Sequence, residues 1–169
     1  MKLAYVQSDK TGQVNLLLAK AAQTLIDNGV RVVGTTQIDT PNPNATKCDM
    51  DVRVLPDGDV FRISQNLGQN ARGCRLDTDA LERAVAQTIP RLQDAELLII
   101  NKFGKHEAEG RGFRELIGEA LSRDIPVLVG TNALNIDAFQ EFCDGQATCL
   151  TAEPDVVLTW LRSTDVAAA

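Results

Sequence analysis

Short apolar runs alternate with amphipathic segments along most of this chain, and the first repeat is the clearest. Residues 3–7 (LAYVQ) are apolar, SDKTG is a polar turn, and the stretch LLLAKAAQTLIDNG places Leu17, Leu18, Ala21, Ala22 and Leu25 at helical spacing. Gly29 suits the position just past a helix end, and Val30 to Thr36 is β-branched enough for a second strand. Strand, helix and strand in this order predict a βαβ unit and a parallel sheet. The rhythm resumes with a helix from about Asp79 to Leu92, capped by Asp77 or Thr78 and kinked or shortened by Pro90. Strands are predicted at Glu96 to Asn101, at Pro126 to Gly130 and after Ala147, with helices near Phe113 to Ser122, near Asp137 to Phe142 and ending at Leu161. The predicted fold class is α/β, three layers, with a mostly parallel sheet and helices on both faces.

One stretch breaks the rhythm. DTPNPNATKCD is dense in Pro, Asn and Asp and reads as an exposed loop, after which MDVRVL and DVFRIS flank Pro56-Asp57-Gly58 as a β-hairpin. Residues 37–68 are therefore read as a loop and hairpin insertion in one domain spanning residues 1–169, with no repeat or linker to divide it. Within the hairpin, Ser64, Gln65 and Asn66 suit a lid over a ligand, or equally an edge ribbon or homodimer contact.

A net charge of −6 repels nucleic-acid backbones. No apolar run reaches the ~20 residues of a spanning helix, so membrane insertion is not expected. The N-terminal residues lack the apolar core and cleavage site of a signal peptide, which makes the cytoplasm the expected location. Cys48, Cys74, Cys143 and Cys149 form no CxxC pair and no disulfide framework is expected; Cys143 and Cys149 read as structural.

Two segments carry candidate chemistry. In open α/β sheets ligands bind beyond the carboxyl ends of the strands, where the following helix presents unpaired N–H groups. Residues 7–15 occupy that place after the first strand. Laid on GxxxxGK[ST], QSDKTGQV keeps Gly12 but has Gln7 for the first glycine, Gln13 for the lysine and Val14 for the hydroxyl residue. Lys10, beside Thr11, is the loop's own cation. The other reading is a plain polar turn with Gly12 supplying the geometry.

The second segment is LLIINKFGKHEAEGRGF, residues 97–113. Its glycines, Gly104 among them, allow close backbone approach to a ligand, Lys102 and Lys105 supply positive charge, and Arg111 can grip an oxyanion. A solvated loop in which Glu107 and Glu109 pair with lysines is the alternative. His106, the chain's one histidine, beside Glu107 makes a candidate acid or base pair. Cys74, in GCRLD before a helix, is a candidate reactive thiol, and with Cys48 and His106 a soft-metal group, although the spacing matches no zinc motif.

CDMDVRVL, ISQNLG, GCRLD and above all INKFGKHEAEGRGFRE resemble, over essentially the whole chain, a bacterial family of unassigned function often encoded beside molybdate-transport genes. That family is similar to P-loop nucleoside-triphosphatases related to nucleotide kinases, whose corresponding strand ends in a pattern like IDEIGxME. Gly104 and Glu107 match that pattern, whereas its two acidic positions fall on Asn101 and Lys102. The resemblance implies a P-loop-like fold with degenerate Walker A and B motifs. It also implies binding of a nucleotide, phosphate or molybdate without a requirement for Mg²⁺, and an accessory place in molybdenum metabolism. Two alternatives stand beside it: an active nucleoside-triphosphatase or transferase with Lys10 on the phosphates and Glu107 orienting water, and a noncatalytic partner-binding regulator.

Overall fold

The computed structural model describes residues 1–68, 70 and 75–163. Its seven strands are β1 (Leu3–Gln7), β2 (Val32–Thr40), β3 (Asp49–Leu55), β4 (Val60–Arg62), β5 (Leu97–Ile100), β6 (Val127–Thr131) and β7 (Thr148–Cys149). They form one sheet in the order β4-β3-β2-β5-β6-β1-β7. All neighbours pair in parallel except at β2-β3 and β3-β4.

Helices α1 (Gln13–Asp27) and α6 (Pro154–Arg162) cover one face, where Leu18, Ala22, Leu25 and Val157 meet Ala4, Val6, Ile99 and Leu128. Helices α2 (Thr78–Thr88), α4 (Arg114–Ser122) and α5 (Ile136–Phe142) cover the other, where Leu81, Ala84, Ile117 and Phe139 meet Leu98, Ile100, Val127 and Val129. Each central strand is buried on both faces, so β5 and β6 read as apolar runs, β6 up to its closing Thr131.

The first βα repeat behaves as its sequence predicts, but β2 does not lie beside β1: β6 and β5 come between them. Asp77 caps α2 by accepting from the Ala80 N–H at 3.0 Å, and the helix gives way at Ile89 to a 3₁₀ turn through Asp94, with Pro90 in its first turn. The hairpin forms as predicted. It is continuous with the sheet rather than an appendage, because β2 runs on to Thr40 and pairs with β3 from Gly34–Leu55 to Thr40–Asp49. Residues 37–40 are thus strand, not loop. The 102–113 segment also holds a one-turn helix, α3 (Lys105–Ala108), which the glycine-rich sequence does not announce.

Candidate functional site

The carboxyl ends of β1, β2, β5 and β6 point the same way, and α1 begins there. The loop after β1 closes on itself: the Ser8 hydroxyl accepts from the Lys10 N–H at 3.2 Å and meets the Gln13 side-chain carbonyl, and the Gln13 N–H donates to the Lys10 carbonyl at 3.2 Å. Gly12, at φ 74°, ends the loop in the left-handed region, and no side chain caps α1. Gln13 is therefore tied into the loop. Val14, partly buried, packs against the sheet, where a Cβ on Gly130 would lie 2.9 Å from its Cγ1. Lys10 and Thr11 are exposed.

The charged segments after β1 and β5 do not leave adjacent strands, since β6 separates them by two strand spacings, about 10 Å. A side-chain network spans the gap instead. Asn101, 4% exposed, accepts from the Gln37 N–H at 2.9 Å and donates to the Asn15 side-chain carbonyl of α1 at 2.9 Å. Asp39 accepts from the side chains of Asn15 and Gln37, each at 2.8 Å. One Asp39 oxygen stands 3.5 Å from where a Cβ on Gly12 would be, so a carboxylate faces the first turn of α1. Asn15, Gln37 and Asp39 were not among the residues singled out in the sequence. The signal was present in TTQIDT, whose β-branched residues continue the strand past Thr36.

Lys102 is exposed, with its stem over Gly104, whose added Cβ would lie 3.5 Å from the lysine Cε. Lys105 and Arg111 both pair with Glu109, at 3.8 and 2.6 Å, and the Arg111 hydrogen bond holds the Glu109 carboxyl below the usual carboxylate range. Among the described residues Lys10 and Lys102 enter no ion pair, which leaves them as the site's uncommitted cations.

Glu107 and His106 follow β5 on the face that carries α2 and α4, and Glu107 Oε2 would lie 3.6 Å from a Cβ on Gly104, close to the Lys102 stem. Glu107 is 3% exposed; its carboxylate accepts from the N–H groups of Gly104 at 3.0 Å and Phe113 at 3.3 Å. Burial pushes its pKa up despite those donors. His106 Nε2 is 2.9 Å from Glu82 Oε1 of α2, which also accepts from the Gly112 N–H at 2.9 Å. Gly112, at φ 60°, would bring a Cβ within 2.2 Å of Glu107 Oε1. The contacts of His106 and Gly112 with Glu82 clamp residues 104–113 onto α2.

Cys48 is exposed, Cys74 lies outside the described residues, and no group of three His, Cys, Asp or Glu side chains suited to a metal occurs among the described residues. Ser64 and Gln65 are tied to their neighbours: the Ser64 hydroxyl accepts from the Met50 N–H at 2.9 Å, and Gln65 donates to the Arg75 and Leu76 carbonyls, while Asn66 is exposed.

A family model described as "Protein of unknown function (DUF2478)" matches residues 3–160. The chain is 35% identical over 152 residues to the Molybdenum import ATP-binding protein ModC 2 of Bradyrhizobium diazoefficiens, covering 89% of this chain and 17% of that protein. Among solved structures it resembles THEP1 from Aquifex aeolicus, with a TM-score of 0.64, 15% identity and 96% of each chain covered. It also resembles a human cancer-related nucleoside triphosphatase, with a TM-score of 0.60, 16% identity and 99% and 97% covered. These likenesses establish a P-loop nucleoside-triphosphatase-like fold. No helix among the described residues is long and apolar enough to cross a membrane.

Proposed function

The chain belongs to the DUF2478 family of proteins of unknown function, and on that premise we propose that it binds a phosphate-bearing or other tetrahedral oxyanion ligand at the loop of residues 8–13 without metal-dependent turnover. The observation that carries this reading is Asn101. At the end of β5, where hydrolysis would call for a carboxylate, a buried amide is held between Asn15 and Gln37. It has no charge to offer Mg²⁺, and Lys102 follows it with a cation. The loop supplies Lys10, the N–H groups at the start of α1, and a glycine that admits close approach. Glu107, with both oxygens committed to backbone donors, is left to architecture.

The ligand class reaches from a nucleotide phosphate to molybdate. Likeness to a molybdenum import ATP-binding protein favours an accessory role in handling that oxyanion, and the fold favours a nucleotide. One observation favours a second reading. Asp39 beside Gly12 repels a bare anion but would hold Mg²⁺ between itself and a nucleotide phosphate, so that the missing carboxylate is supplied from β2.

A thermal-shift titration with ATP, GTP, phosphate, molybdate and tungstate, each with and without Mg²⁺, separates the two. Stabilisation by an anion alone, lost in Lys102→Ala and increased in Asp39→Asn, is the expected result. Stabilisation only by nucleotide with Mg²⁺, abolished in Asp39→Asn, would overturn it in favour of the metal-bridged reading.

A further inference from the structure

The two cysteines that read as structural, Cys143 and Cys149, stand at the two ends of one short turn. Helix α5 ends at Cys143, and Asp144 and Gly145, at φ 51° and 66°, reverse the chain. The turn is closed by the Gly145 N–H on the Gln140 carbonyl at 2.9 Å and by the Gln146 N–H on the Cys143 carbonyl at 3.0 Å. It leads directly into β7, an edge strand, whose Cys149 pairs in parallel register with Tyr5 of β1. Register partners in neighbouring strands send their side chains to the same face. Tyr5 packs its ring on Phe139 of α5, centroids 5.5 Å apart, so that face is the α5 side. Cys143 lies one turn beyond Phe139 on the same helix.

Both thiols therefore meet the same small group of side chains. The Tyr5 hydroxyl interacts with the Cys149 thiol and the Gln140 side chain. Cys143 Sγ lies 3.6 Å from the Gln140 carbonyl oxygen and 3.8 Å from its side-chain oxygen. Burial and the nearby Cys149 push the Tyr5 phenol up, so it stays protonated and able to donate to a thiolate. Cys149 is exposed, while Cys143 is buried, 6% exposed. An accessible thiol beside a hydroxyl donor, with a second thiol enclosed at the other end of one tight turn, is an arrangement for capture and resolution.

We propose that Cys149 and Cys143 form a peroxide-responsive thiol pair, Cys149 capturing the oxidant and Cys143 resolving it to a disulfide that staples β7 to the end of α5. The Cys149 thiolate attacks one peroxide oxygen; an S–O bond forms as the O–O bond breaks, and the departing hydroxide takes a proton to become water. The Cys143 sulfur then attacks the sulfenic sulfur, an S–S bond forms, the S–O bond breaks and a second water leaves. Two electrons pass from the thiol pair to one peroxide.

The test uses the full chain with Cys48→Ser and Cys74→Ser, so that the pair holds the remaining thiols. After hydrogen peroxide and alkylation, the tryptic peptide ending at Arg162, which contains both cysteines, is expected to lose two hydrogens, to carry no alkyl group and to recover both thiols with dithiothreitol. Adding Cys143→Ala is expected to leave a sulfenic acid at Cys149 that dimedone traps. Pairing in the folded protein should outrun pairing in urea by about tenfold or more, because the turn and the β1–β7 register fix both residues beside Tyr5 and the end of α5. Alkylation of both thiols after peroxide, a sulfenic acid persisting at Cys149 while Cys143 is present, or equal rates with and without urea would each overturn the proposal.

Discussion

Glu107 is a buried carboxylate with a backbone donor on each oxygen. Its carboxylate takes the Gly104 and Phe113 N–H groups inside the core, and burial outweighs those donors, so its pKa is raised in the folded chain. A carboxyl whose folded pKa exceeds its unfolded value contributes stability that is fully present below the unfolded pKa and is lost as pH rises through the folded one. The wild-type minus Glu107→Gln difference in unfolding free energy should therefore fall as pH rises across and above the usual carboxylate range; a flat difference would refute the assignment. Glu107→Ala, which strands two buried donors, should cost about 2–4 kcal/mol in urea titration. Asn101 makes the complementary case. Asn101→Asp places a carboxylate at the end of β5 but replaces a donor with a second acceptor opposite the Asn15 and Gln37 side-chain oxygens, in a place 4% exposed. A loss of about 1–3 kcal/mol at neutral pH, shrinking on acidification as the aspartate protonates, is expected from the same measurement. The sequence exposed Asn101 as an oddity through its place at the end of an apolar run. It did not expose Asp39, because a reading window that ends the strand at Thr36 assigns the carboxylate to a loop.

At the level of elements, the helices and strands with regular apolar spacing were legible to within a few residues, as at α1, α2, β5 and β6. What spacing could not convey was adjacency. The contacts that insert β5 and β6 between β2 and β1 join residues far apart in sequence, and no local pattern encodes them. The hairpin was visible through its turn, but its attachment depends on β2 extending to Thr40, where Pro41 ends the run only after a seventh pair with β3 has formed. Gly34 marks the junction of the two halves. At φ 114°, pairing with Ile99 on one side and Leu55 on the other, it would thrust a Cβ to 1.9 Å from the Ile99 carbonyl oxygen. Gly34→Ala should thus part β2 from β5 and lower stability by about 2–4 kcal/mol, seen as a lower urea midpoint at unchanged slope. A midpoint equal to that of the parent would show that the two strands accommodate the methyl group by sliding.

For the whole molecule, the two ends of the sheet differ as places for the proposed ligand. A cavity of about 830 Å³ lies at the end opposite the loop of residues 8–13, lined by Lys2, Asn28, Glu96, Arg123, Asp124 and Arg162 among others. Size alone points there. The polarity of a parallel sheet points the other way, because β1, β2, β5 and β6 all send their carboxyl ends, and α1 its N-terminus, toward Lys10 and Lys102. At the cavity end, Glu96 and Asp124 stand among the cations, and Glu96 and Glu119 already pair with Arg31 and Arg123. In a chain of net charge −6 an anion needs local positive potential, so the two uncommitted lysines should outweigh the larger volume. Whichever oxyanion stabilises the protein, Lys10→Ala combined with Lys102→Ala should weaken it about tenfold or more, removing about 1.4 kcal/mol of ligand-linked stability. Arg123→Ala combined with Arg162→Ala should leave the ligand's effect intact. The reverse outcome in the same thermal-shift titration would move the binding site to the cavity and leave the loop after β1 as a structural turn.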